Sequence, residues 1–354
     1  MSAIRTVLIL TTIVFAMFTF VSADVAAQSP GAQPLFSDDS VLAVRIEAPM
    51  ETLMRERPDE EYLDGKFSFS ANDGTEHTVD LKIRTRGKFR RQDSTCEFAP
   101  IRLNFKKGQL DGTVLDGQDK LKLVTHCETR KDRYEQMVLR EYLAYRILQS
   151  LTDKHFGARL MHITYVDTEN PGDEPLTRYG FVIEDEDDIG ARLGLEKIDV
   201  TALRYSDLDP AHTRLITMYE YLIGNTDYSL VRGPNENDCC HNAIPFSDGM
   251  TTYSIPYDFD HAGLVNAPYA KPNPQFKTSN VRVRVYRGLC SQNEALPETL
   301  DYIAGKRAEI IGLVDGIDGL GDKDRGQVMK YIEKFFEDIE NPKKVDRNLI
   351  RKCL

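Results

Sequence analysis

Over the first third of the chain, apolar and polar residues alternate in short runs: Val41–Ile46, Phe67–Ser70, Thr78–Arg84, Ile101–Phe105 and Lys120–Val124, each broken off by Gly, Asn or Asp. A period of two over so few residues predicts half-buried antiparallel strands. At Asp132 the period changes. From Tyr134 to Leu148, apolar residues recur at helical spacing and predict a long amphipathic helix. Leu160–Val166 and Arg178–Glu184 read as a second pair of strands, and the acidic run Glu184–Asp188 as a solvated loop or helix start. Thr213–Ile223 predicts a helix that delivers Gly224-Asn225-Thr226-Asp227, and Leu296–Val314 and Arg325–Ile339 predict further helices. Strands first and helices afterwards point to an α+β protein of two lobes, with a cleft between them as the place for a ligand. On this reading 41–150 is a β-rich N-terminal lobe with its long helix. Residues 151–354 form a mainly helical C-terminal lobe that carries the segment 221–262.

The chain start places this pattern in a compartment. Arg5 precedes an apolar run from Val7 to Val21, and small residues follow, which is the layout of a secretory signal peptide over 1–27. Residues 28–40 are polar and proline-containing and read as a flexible leader. The expectation is a secreted or periplasmic protein that meets the membrane only through its cleaved signal. The formal net charge of -11 argues against nucleic acid as a partner, because that affinity needs a basic surface. Six cysteines in an exported chain favour disulfides, with Cys96–Cys127 the preferred pairing. The competing reading is a zinc site made of Cys239, Cys240, His241 and His261, whose adjacent cysteines depart from the usual ligand spacing.

Candidate chemistry gathers downstream. Asp227, then Asn242, then Asp258 behind a strand, is the order in which phosphoryl-transfer sites place a catalytic base and two metal ligands. Asp227 would take the proton of an acceptor hydroxyl. Asn242 and Asp258, with Asp260 as a second choice two residues on, would hold a divalent metal through hard oxygen ligands. Upstream, Lys82, Arg84, Arg86, Lys88, Arg90 and Arg91 crowd around Gly87. Arginine forks beside a flexible glycine suit phosphate, with a solvent-facing basic hairpin as the bland alternative. Lys120 and Lys122 share one face of their strand, and Lys122 sits deeper in the apolar run.

The stretches "IGNTD", "CHN" and "PYDFDHAG" resemble the signature of the spore coat protein H-like (CotH) kinase family, within the wider HipA-like and protein-kinase-like group. "IRTRGKFRR" and "KLKLVTHCETRKDRYEQMVLREYLAYRIL" are similar to that family's Arg-Gly loop and its strand-then-helix. The resemblance implies a two-lobed atypical protein-kinase-like fold. It further implies an exported kinase that transfers the γ-phosphoryl group of ATP to a protein hydroxyl with Mg2+ or Mn2+. By the same analogy Asp227 is catalytic, Arg86, Gly87, Lys122 and Glu141 bind the nucleotide, and Asn242, Asp258 and Asp260 bind the metal. Lys122 would pair with Glu141 or, equally, with Glu135. The chain lacks His-Arg-Asp, Asp-Phe-Gly and a Gly-x-Gly-x-x-Gly loop, which excludes an ordinary protein kinase. The alternative function is a non-catalytic cell-envelope protein of the same shape, with calcium stabilising Asp258 and Asp260.

Overall fold

The computed structural model of the chain describes residues 33–70, 74–235 and 238–354. The expected signal peptide and the first residues of the leader lie outside them. Seven strands build the β-rich half: β1 (Leu42–Ala48), β2 (Leu63–Ser70), β3 (Glu76–Thr85), β4 (Ile101–Phe105), β5 (Lys120–Val124), β6 (Ala158–Asp167) and β7 (Leu176–Ile183). Their alternation sends Val44, Ile46, Phe67, Phe69, Ile83 and Leu103 into a common buried core, as a period of two requires. Neighbours pair antiparallel in the order β1-β2-β3-β4-β5-β7-β6, and β1 then pairs with β6 in parallel, from Leu42↔Met161 to Ala48↔Asp167. The last pairing closes a barrel.

That closure overturns the two-lobed kinase-like fold expected above, whose N-terminal lobe is an open sheet. Local alternation specifies that β1 and β6 are strands, but it carries no information about a parallel pairing between segments more than a hundred residues apart. The leader is corrected as well. Its described part, 33–40, is anchored: Leu35 is fully buried, Arg159 Nη2 donates to Asp38 Oδ2 at 2.9 Å, and Arg146 Nη2 donates to Asp39 Oδ2 at 2.6 Å.

Eight helices complete the described chain: α1 (Met50–Glu56), α2 (Asp132–Leu151), α3 (Glu186–Leu193), α4 (Pro210–Ile223), α5 (Leu296–Gly305), α6 (Arg307–Asp315), α7 (Asp322–Ile339) and α8 (Pro342–Asn348). α2 occupies the predicted place but is not amphipathic in use. It lies between the barrel wall and the helices, with Tyr142 and Tyr145 against Phe181 of β7 and with Ala144 O accepting from the Tyr219 hydroxyl of α4 at 2.8 Å. Burial from both sides explains why its apolar residues run round the helix, and why Arg140 and Glu141 are buried with them. A small antiparallel sheet, β10-β9-β8, is made of β8 (Glu196–Lys197), β9 (Ala243–Ser247) and β10 (Thr252–Pro256). Among the described residues no helix is long and apolar enough to cross a membrane.

Candidate functional site

Three backbone devices bring the predicted acids together. α4 begins with Asp209 accepting from His212 N at 2.6 Å ahead of Pro210, and ends on Gly224 in the left-handed region at φ 69°, the usual stop signal for a helix. The chain therefore turns sharply into Asn225-Thr226-Asp227, where Asn225 Oδ1 accepts from Asp227 N at 2.9 Å. Next, the β9–β10 hairpin pairs Ala243 with Pro256, and Tyr257 N donates to Asn242 O at 3.0 Å. This register puts Asn242 and Asp258 at the same end of the hairpin. Finally, Gly263 N and Leu264 N donate to Gly224 O and Ile223 O at 3.0 and 2.8 Å, which ties the stretch after Asp260 to the end of α4.

Asn242 Nδ2 consequently donates to Asp227 O at 2.7 Å and to Asp227 Oδ2 at 3.2 Å, and His241 Nε2 lies 2.9 Å from Asp227 Oδ1. Burial alone would raise the Asp227 carboxyl, but the hydrogen bond and charge of His241, with help from His261 and Asn242, hold it below the usual carboxylate range. His241 is raised in return, chiefly by that hydrogen bond. Asn242 and Asp258 both take positive φ, 50° and 62°, a conformation asparagine and aspartate tolerate better than other side chains but rarely adopt. Asp258 N donates to the Tyr145 hydroxyl at 2.9 Å, and Tyr269 donates its hydroxyl to Asp260 Oδ2 at 2.9 Å.

The basic loop after β3 closes over these acids. Gly87, at φ 82°, makes the turn. Arg86 is held beside Asp258, and its guanidinium is depressed by burial against the pull of that carboxylate. Arg90 is 8% exposed, donates to Thr125 O at 2.6 Å, and pairs with Glu141 Oε2 at 3.5 Å. Phe89 at the loop tip packs on His261 and Tyr269, with ring centroids 5.6 and 5.7 Å away. Burial and the neighbouring Asp260 push Asp258 up to about 6, while Arg86, Arg90 and His261 pull the other way. Glu141 is raised by burial and by the same acids, against Arg90. The site sets half-buried Asp227 and Asp258 and buried Asp260 and Glu141 beside two arginines, a juxtaposition suited to phosphate with a cation between.

The predicted residues thus divide. Asn242 bonds Asp227, and Asp258, Asp260, Arg86 and Glu141 lie within electrostatic reach of one another, with Gly87 shaping the loop. Lys122 does not pair as expected: its ammonium bonds Glu186 of α3, while Glu141 belongs to Arg90 and Glu135 accepts from Tyr179 N at 2.6 Å. Of the two readings of the acidic run, the helix start holds: Asp185 caps α3 by accepting from Asp187 N at 3.3 Å, while Glu184 is buried against Arg192 at 2.9 Å and Glu186 is taken by Lys122. The zinc alternative falls because all six cysteines are in disulfides: Cys96–Cys127, Cys239–Cys240 and Cys290–Cys353. Sequence reasoning named Arg90 only as one of the basic crowd around Gly87, and gave Tyr145 and Tyr269 no part in the site. It also missed Glu220 of α4, a fully buried acid whose two oxygens have no partner, facing the Asn225 amide below Asp227. An acid within the apolar run Ile216–Ile223 was the available signal for the last of these.

A cavity of about 790 Å3 lies elsewhere, on the barrel wall around Gly65, Lys66 and Lys82, and shares no lining residue with the acidic cluster. Among the described residues no group of three or more His, Cys, Asp or Glu side chains is arranged to hold a metal unaided. The donor set still fits magnesium or manganese, which bind through one or two carboxylates plus substrate phosphates, better than calcium, which takes six to eight oxygens. With its Nδ2 turned to Asp227, Asn242 keeps its oxygen available as a ligand. No protein-family model matches the chain, and no curated protein matches it.

Proposed function

We propose that this chain is an exported phosphotransferase that moves the γ-phosphoryl group of ATP to a protein hydroxyl with Mg2+ or Mn2+. The observation that carries this reading is the hydrogen-bonded Asn242–Asp227 pair at the end of the hairpin that also carries Asp258, with Asp260, Arg86 and Arg90 within electrostatic reach of Asp258. The motif resemblance supplies the roles, and the fold it implied forms no part of the proposal. Three disulfides suit an oxidising compartment.

In this mechanism Arg86 and Arg90 engage phosphate oxygens and orient the nucleotide, while Asp258, Asp260 and the Asn242 oxygen hold the metal. The bound metal supplies charge that offsets the phosphates. Asp227, kept ionised by His241, accepts the proton of the acceptor hydroxyl as its oxygen attacks the γ-phosphorus. The bond from that phosphorus to the bridging oxygen breaks, and the electron pair leaves on the β-phosphate of ADP.

The test is mass spectrometry of the full chain incubated with Mg-ATP and co-exported proteins, read for the gain of one phosphoryl group. Asp227→Asn is expected to reduce transfer by ~10²–10⁴-fold while Mg-ATP still raises the melting temperature. Asp258→Asn is expected to abolish that thermal shift. Undiminished transfer by Asp227→Asn, or a shift that survives Asp258→Asn, would overturn the assignment.

A further inference from the structure

A second cavity, of about 510 Å3, opens between the first turns of α2, the chain after His261, and the start of α7. Three cations line it, Arg133, Arg140 and Lys323, against one acid, Asp324. Arg140 is 6% exposed. Its guanidinium bonds Asp324, donates to Val265 O at 3.3 Å, and leaves Nε without an acceptor. Burial, with Arg282 nearby, depresses it to about 10. Arg133 and Lys323 are exposed, and among the described residues neither forms an ion pair. Lys323 also sits in the first turn of an 18-residue helix, whose N-terminal dipole adds to the positive field. A surplus of two positive charges is thereby concentrated in a chain of net charge -11.

The remaining wall is apolar, with Met137, Val265 and Pro268. Two of these belong to the chain that leaves Asp260, and Pro268 adjoins Tyr269, whose hydroxyl holds that carboxylate. The cavity is therefore a neighbour of the phosphotransferase site through one continuous segment. Arg133 and Lys323 line the cavity from different helices, so two singly charged groups on one extended segment can each meet a cation. The apolar wall asks for aliphatic side chains between them.

We propose that this cavity docks an acidic, partly aliphatic peptide segment of the acceptor protein and so presents its hydroxyl to Asp227. The inference rests on the phosphotransferase reading for its purpose, but its binding step is measured separately. The experiment titrates the full chain against a fluorescein-labelled peptide alternating glutamate and leucine. A lysine-leucine counterpart, a phosphoserine-leucine peptide and anionic lipid vesicles are the other arms. The expected result is salt-sensitive binding of the glutamate peptide, weakened about tenfold or more by Arg133→Glu with Lys323→Glu, with little change in melting temperature because both side chains are exposed and neither forms an ion pair, Arg133 giving up a contact over the Tyr134 ring at 5.1 Å. Asp227→Asn should leave this binding intact. Failure of transfer with peptide binding retained would refute the phosphotransferase and spare the docking surface. Absent binding, equal binding by the double variant, or preference for the phosphoserine peptide or the vesicles would overturn the docking proposal itself.

Discussion

Glu220 is an acid sealed beneath the turn that carries Asp227, and burial drives it up to about 8 from an ordinary 4.5. A carboxyl that keeps its proton only in the native state favours folding at low pH. Its contribution is complete below about 4.5, declines as pH rises towards 8, and stays lost above. Glu220→Gln keeps the shape without the proton. Its stability relative to the parent should therefore grow between pH 5 and pH 8, by on the order of a few kcal/mol, in urea midpoints taken at the two values. An identical pH slope in both proteins would exclude Glu220 as the source. At this scale the sequence was legible where residue type alone decides: of Asp227, Asn242 and Asp258, chosen for their chemistry, the first two are hydrogen-bonded and the third stands at the same end of the hairpin as Asn242. It was illegible where a partner decides. Lys122 lies on a strand whose alternation was readable, yet the acid that takes it, Glu186, sits on a helix 64 residues away. Arg90 stood in a basic crowd that offers no period to show which member turns inward.

Among the elements, the tie between the end of α4 and the stretch after Asp260 has the least room. A β-carbon on Gly263 would stand 2.5 Å from the Tyr331 hydroxyl, 2.7 Å from Val281 O and 2.9 Å from Arg282 Cα. Two of those atoms are backbone and cannot turn aside. Gly263→Ala is expected to cost about 1–3 kcal/mol and, by loosening Asp258 and Asp260 from Asp227, to shrink the Mg-ATP thermal shift as well. Calorimetry with and without nucleotide separates the two effects, and a variant that melts like the parent would show that the tie yields. Elements with a strong period were legible: β3, β4, β5 and α2 fall where alternation and helical spacing put them. The two-sided burial of α2 was not, because a helix packed on both faces loses the polar stripe that would announce its surroundings.

For the whole molecule, Cys96–Cys127 links the end of the basic loop to the segment after β5 across 31 residues, so it limits the unfolded chain and steadies Arg86 and Arg90 together. Replacing both cysteines with alanine should lower stability by about 3–4 kcal/mol and weaken nucleotide binding beyond what the melting loss explains. Equal nucleotide affinity in the two proteins would confine the bridge to stability. The pairing of cysteines was guessable from an oxidising context, whereas the closing of the barrel was not, since it depends on β1 finding β6 across four intervening strands and two helices. That closure has a consequence for association. Because every strand of the circle has a hydrogen-bonded neighbour on both sides, no strand leaves a whole edge along which a second chain can zip itself by main-chain bonding. A visitor to this wall meets mainly side chains.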